Sequence, residues 1–124
     1  MLVEYNTVII GSGIAGMTAG IYLRRAGIKI LIIENDMPGG ELNKASSIEN
    51  YPGYDSINGS DLAMNIYNQL LSYDPEYLFE EIKEIDMDKR YIRTSNKEIK
   101  YTNLVIATGR RSRTLGLKNE EKYI

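Results

Sequence analysis

Thr7-Val8-Ile9-Ile10-Gly11-Ser12-Gly13-Ile14-Ala15-Gly16 is the stretch that decides the fold. The β-branched run Thr7–Ile10 shows no polar alternation, as expected of a strand buried on both faces of a parallel sheet. It passes directly into Gly11-x-Gly13-x-x-Gly16. Helical spacing follows, with Ala15, Thr18, Ala19, Tyr22 and Leu23 falling on one face. Arg24 and Arg25 suit a helix C-terminus, and Gly27 supplies a left-handed stop. A second apolar strand, Lys29 to Ile33, ends at Glu34. The whole reads as a βαβ unit.

Each glycine of the turn has a physical task. Gly11 allows the tight turn, Gly13 lets backbone amides approach a pyrophosphate, and Gly16 lets the helix pack closely on the sheet. The helix N-terminus offers unpaired N–H groups and partial positive charge to phosphates. Gly20 admits a neighbouring segment against the same helix. Glu34 lies 23 residues after Gly11, where a carboxylate accepts hydrogen bonds from a ribose 2′-hydroxyl. A carboxylate there repels a 2′-phosphate, which disfavours NADP and leaves FAD and NAD.

Outward from this unit, Asn35 to Gly59 is rich in Gly, Pro, Asn and Ser and reads as a long irregular segment, the kind that carries function. Gly39-Gly40-Glu41-Leu42 places polar backbone soon after the acid, and Ser46 and Asn50 offer hydrogen bonds to a polar ring system. A plain surface loop built from turn formers accounts for them equally well. Ser60 is placed to cap a helix through about Leu71, with Leu62, Ile66 and Leu70 on its apolar face. Asp74-Pro75 breaks it, and Tyr77–Phe79 is a short third strand. Ile82 to Tyr101 alternates apolar and polar residues, with turns at Asp88-Lys89 and Ser95-Asn96, so an antiparallel meander is expected. Leu104–Ala107 is another buried strand, closed by Thr108-Gly109. Small residues there admit either a cofactor or a simple strand exit. Arg110, Arg111 and Arg113 read as a solvated exit loop, and the scattered tyrosines as half-buried packing residues.

Composition removes whole chemistries. The 124 residues carry 15 basic and 17 acidic side chains, no histidine and no cysteine. Disulfides, thiolate nucleophiles, zinc–sulfur sites and Ser-His-Asp catalysis are therefore excluded, and no metal site is expected. A net charge of -2 gives no reason to expect nucleic acid, and no apolar run reaches membrane-spanning length. Asn58-Gly59-Ser60 fits a glycosylation pattern but reads better as a turn and helix cap in a cytoplasmic protein. Catalytic side chains are not evident, so redox chemistry must come from a bound cofactor or another polypeptide segment.

Several strings together resemble the N-terminal part of the thioredoxin reductase family, the low-molecular-weight bacterial type. They are Val8 to Gly16, Gly20-Ile21-Tyr22, Ile32-Ile33-Glu34, Gly39 to Leu42, Ile48-Glu49-Asn50-Tyr51-Pro52-Gly53 and Val105 to Gly109, in family order. The resemblance implies FAD, with its pyrophosphate at Gly11, Ser12, Gly13, Ile14, Ala15 and Gly16 and its adenosine ribose at Glu34. It further implies that Gly40, Glu41 and Leu42 hold the ribityl and flavin region, with Ser46 and Asn50 on the flavin side. Backbone near Ile82 would meet the adenine, and Ala107, Thr108 and Gly109 would line the cleft. Glu41 stands where the family usually has glutamine. A carboxylate near the ring disfavours the anionic reduced flavin unless it is protonated or turned away.

The resulting expectation is an α/β, Rossmann-like chain with a partly complete parallel sheet flanked by helices and a small antiparallel meander as crossover. Residues 1–124 would be the N-terminal part of an FAD-binding domain, lacking the nicotinamide domain with its Cys-x-x-Cys and the closing segment, as a fragment or a truncated relative. Apolar surface left exposed would favour a homodimer or a marginally stable monomer. In a full-length enzyme, hydride would pass from NADPH to FAD and electrons then to a disulfide, with thioredoxin or another redox protein as partner. A ferredoxin–NADP reductase-like flavoprotein and a non-catalytic dinucleotide-binding module are the alternatives.

Overall fold

The computed structural model describes residues 2–108. The chain runs β1 (Leu2–Ile10), α1 (Ile14–Arg25), β2 (Ile30–Ile33), a 3₁₀ helix (Gly40–Lys44), α2 (Gly59–Leu71), β3 (Glu76–Leu78), β4 (Ile82–Asp86), β5 (Tyr91–Thr94) and β6 (Glu98–Ile106). One six-stranded sheet has the order β3-β2-β1-β6-β5-β4. The pairs β2–β3, β1–β2 and β1–β6 are parallel, and β6–β5 and β5–β4 antiparallel. Half the sheet is therefore parallel and the other half is the meander. No helix of the described residues is long and apolar enough to cross a membrane.

The continuous apolar runs arise because both sheet faces are covered. Ile9, Ile30 and Ile32 face Met17 and Ile21 of α1 and Leu62, Ile66 and Leu70 of α2. Val8, Ile10, Leu31 and Ile33 face the other way, into a second core with Leu78 and the meander residues Ile85, Ile92 and Ile99. Strands that bury alternate residues on opposite sides cannot show a polar face.

Three local expectations are corrected. The buried face of α1 is Gly16, Met17, Gly20 and Ile21, whereas Ala15, Thr18 and Tyr22 are exposed. Two contact positions are glycines, chosen for closeness rather than hydrophobicity: a Cβ on Gly20 would stand 3.0 Å from Leu70 Cδ1. Second, the meander's last strand and the strand Leu104–Ala107 are one, the nine-residue β6. Along Glu98–Lys100 it lies between β5 and β1, while Asn103–Ile106 pairs with β1 alone, so the stretch expected to be buried is only partly covered, with Leu104, Val105 and Ala107 half-buried and Ile106 exposed. β1 accordingly extends back to Leu2 alongside it. Third, Asn58 rather than Ser60 caps α2, its Oδ1 accepting from the Ser60 amide at 2.8 Å. The segment read as irregular also holds the 3₁₀ helix Gly40–Lys44.

Candidate functional site

The parallel strands end together. The Gly11 amide donates to Ile33 O at 3.0 Å, the Ala107 amide to Ile10 O at 2.8 Å, and the Glu34 amide to Leu78 O at 3.0 Å. Open α/β sheets bind ligands outside such carboxyl ends. Here the ends border a cleft of about 990 Å³.

Two glycines of the fingerprint are required by backbone contact. Gly11 has φ +99°, and a Cβ there would stand 2.1 Å from Ala107 O; a Cβ on Gly16 would stand 2.0 Å from Gly11 O. Gly13 is different, since its Cβ would meet nothing within 4 Å and would project into open space. That position is also the N-cap of α1, where no side chain caps the helix and no acid sits in the first turn. The first amides of α1 consequently keep their donors and positive end for a ligand. In contrast, α2 begins with the Asn58 cap and carries Asp61 in its first turn.

Glu34, at the end of β2, is half-buried beside this turn. Its Oε1 accepts from the Ser12 amide at 2.8 Å and its Oε2 from the Asp36 amide at 3.0 Å. Ser12 is buried, its carbonyl accepting from the Gly39 amide at 2.6 Å and its hydroxyl lying 2.7 Å from the Tyr77 phenolic oxygen. Burial pushes the Tyr77 phenol up to about 12; the Ser12 hydrogen bond opposes this and the negative charge of Glu34 adds to it. Tyr77 therefore stays neutral across the physiological range.

Of the residues singled out in the sequence, the cleft gathers Gly11, Ser12, Gly13, Ile14 and Ala15 with Glu34. It also gathers Gly40, Glu41, Leu42, Ile82, Ala107 and Thr108. Gly16 lies behind the turn and is buried. Ser46 and Asn50 are exposed and do not line the cleft, because the chain leaves it at Ala45, the C-cap of the 3₁₀ helix. Gly109 and the arginines 110, 111 and 113 lie outside the described residues. Sequence reading missed Asp36, Met37, Lys44, Glu80 and Glu81, which join the lining. Gly39, named in the paired-glycine string, also lines the cleft and opens the 3₁₀ helix at φ +98°.

Acidic groups dominate this lining, with Glu34, Asp36, Glu41, Glu80 and Glu81 against Lys44. Glu41 is exposed at the rim, 3.3 Å from Lys44 Nζ. Glu80 is held below the usual carboxylate range by the hydrogen bond from the Thr94 hydroxyl, helped by Asn96. Among the described residues no acidic cluster is arranged to hold a metal ion.

Residues 5–124 match the pyridine nucleotide-disulphide oxidoreductase family. The thioredoxin reductase of Mycoplasma pneumoniae is 38% identical over 124 residues, covering 98% of this chain and 39% of that protein. That of Bacillus subtilis is 36% identical over 120 residues, covering 95% of this chain and 38% of that protein. The chain thus spans about two fifths of the length of these relatives. The crystal structure of thioredoxin reductase from Streptococcus pyogenes superposes with a TM-score of 0.82 at 41% identity, over 98% of this chain and 40% of that one. Thioredoxin reductase from Giardia duodenalis superposes with a TM-score of 0.81 at 33% identity, over 98% of this chain and 40% of that one. This chain belongs to the pyridine nucleotide-disulphide oxidoreductase family and corresponds, in sequence and fold, to the N-terminal FAD-binding region of the thioredoxin reductases.

Proposed function

We propose that the cleft holds FAD in an extended pose. The diphosphate lies against the amides of Gly13, Ile14 and Ala15, the adenosine ribose bonds Glu34, and the adenine rests beside Ile82. The ribityl chain and flavin then reach Gly40–Leu42 and Ala107–Thr108. The observation that carries this reading is the bare start of α1, where the glycine N-cap leaves donors unspent and its missing Cβ leaves room for a phosphate. Glu34 fits its role because each carboxylate oxygen, although bonded once to backbone, keeps a lone pair for a ribose hydroxyl. The acids at the same end repel a 2′-phosphate, which selects against NADP.

When bound, FAD supplies an acceptor for two electrons, which the side chains of this chain do not. The protein's part is to bind, orient and partly desolvate it. In a full-length enzyme the electrons come from NADPH and go to a disulfide, with thioredoxin or another redox protein as acceptor. A second copy of the chain is the proposed oligomeric partner. The cytoplasm, whose thiol pools are kept reduced, is the proposed compartment.

Titrating the purified chain with FAD tests the reading by visible absorption and flavin fluorescence. Saturable perturbation of the flavin bands is expected, with NAD and NADP failing to compete. Absence of flavin uptake, or NAD binding in its place, would leave a plain nicotinamide-binding or interaction module.

A further inference from the structure

Ser12 is where the separate walls of the cleft are tied together. Its amide reaches Glu34 at the end of β2, and its carbonyl takes the Gly39 amide from the loop before the 3₁₀ helix. Its hydroxyl, 1% exposed with the rest of the residue, meets Tyr77 on β3, 65 positions away in sequence. Tyr77 does not line the cleft. Its ring is itself fixed, edge-on to Tyr67 of α2 at 5.6 Å and 74°, and stacked on Phe79 at 5.1 Å and 6°.

We propose that Tyr77 is a positioning residue for the diphosphate turn, its hydroxyl holding Ser12 so that the α1 amides and the Glu34 carboxylate are in register before the dinucleotide arrives. The proposal rests on the FAD reading of the cleft. A buried hydroxyl is costly to leave without a partner. Without the phenolic oxygen, the buried Ser12 hydroxyl loses the partner that holds it across the sheet. Ser12 thus keeps only two of its three attachments, and freedom regained there must be frozen again on binding. A tyrosine present only to fill space behind the sheet would not need its hydroxyl.

The test is a double-mutant cycle on FAD affinity with Tyr77→Phe, which keeps the ring and its stacking, and Ser12→Ala. Each single change is expected to weaken FAD about three- to tenfold, and the double change no more than the worse single one. Amide exchange at residues 12–15 of ligand-free Tyr77→Phe should be faster than in the parent, which ring packing alone would not produce. Unchanged affinity in Tyr77→Phe, independent multiplication of the two factors, or a Tyr77→Phe chain that no longer folds would overturn the proposal. The parent is titrated first. Failure of the parent to take FAD defeats the cofactor reading and this role with it, whereas a binding parent with an indifferent Tyr77→Phe defeats this role alone.

Discussion

At the scale of single residues, one methyl group separates the three glycines of the fingerprint. A Cβ at Gly11 or Gly16 lands within 2.1 Å and 2.0 Å of backbone oxygens that cannot retreat without moving a strand or a helix. A Cβ at Gly13 meets open space, and its φ of -77° is one that alanine adopts freely. Gly11→Ala and Gly16→Ala should therefore lower stability by about 1–3 kcal/mol, read from urea denaturation. Gly13→Ala should leave the urea midpoint nearly unchanged and weaken FAD about tenfold or more, because its methyl occupies the phosphate's place. A Gly13→Ala chain that binds FAD like the parent would show the diphosphate to lie elsewhere. These three positions were legible from spacing alone, since the turn, strand and helix are contiguous. The partner of Ser12 was not, because nothing local links it to Tyr77.

Among elements, the meander decides where one wall of the cleft stands. Glu80, between β3 and β4, accepts from the Thr94 hydroxyl at 2.6 Å and the Asn96 amide at 3.1 Å, tying the β5–β6 turn to the segment that leads into Ile82. These bonds hold its carboxyl below the ordinary value of 4.5. A depressed folded value means that Glu80 contributes stability above pH 4.5, and that this is lost as pH falls through the folded value. Thermal melts across that acid window should show a steep fall for the parent and a shallower one for Glu80→Gln. An identical slope would mean the carboxylate does not hold the turn. The turn at Ser95-Asn96 was readable, but the continuity of β6 was not, because one strand passes from a place between β5 and β1 to pairing with β1 alone.

For the molecule as a whole, two cores on opposite faces of one sheet must hold together. Ile99 is fully buried in the meander-side core, against which Ile82 packs. Ile99→Ala should cost about 2–5 kcal/mol, a large share of the roughly 5–15 kcal/mol that keeps a domain folded. Urea denaturation should show the lower midpoint, and FAD present in excess should recover part of it by binding the folded chain alone. A loss below 1 kcal/mol would indicate that the meander core yields without disturbing the sheet.

The sequence alone determined the βαβ unit, its glycine turn, the acid that follows it and the amphipathic face of α2, because each is written in contiguous residues with a fixed period or spacing. Only the tertiary structure decided which face of α1 is buried, since two of its four buried positions are glycines whose worth lies in having no side chain. It likewise decided that Ser46 and Asn50 stand apart from the cleft while Glu80 and Glu81 border it. Those placements depend on how distant segments pack against one another, and packing between distant segments leaves no period in the chain.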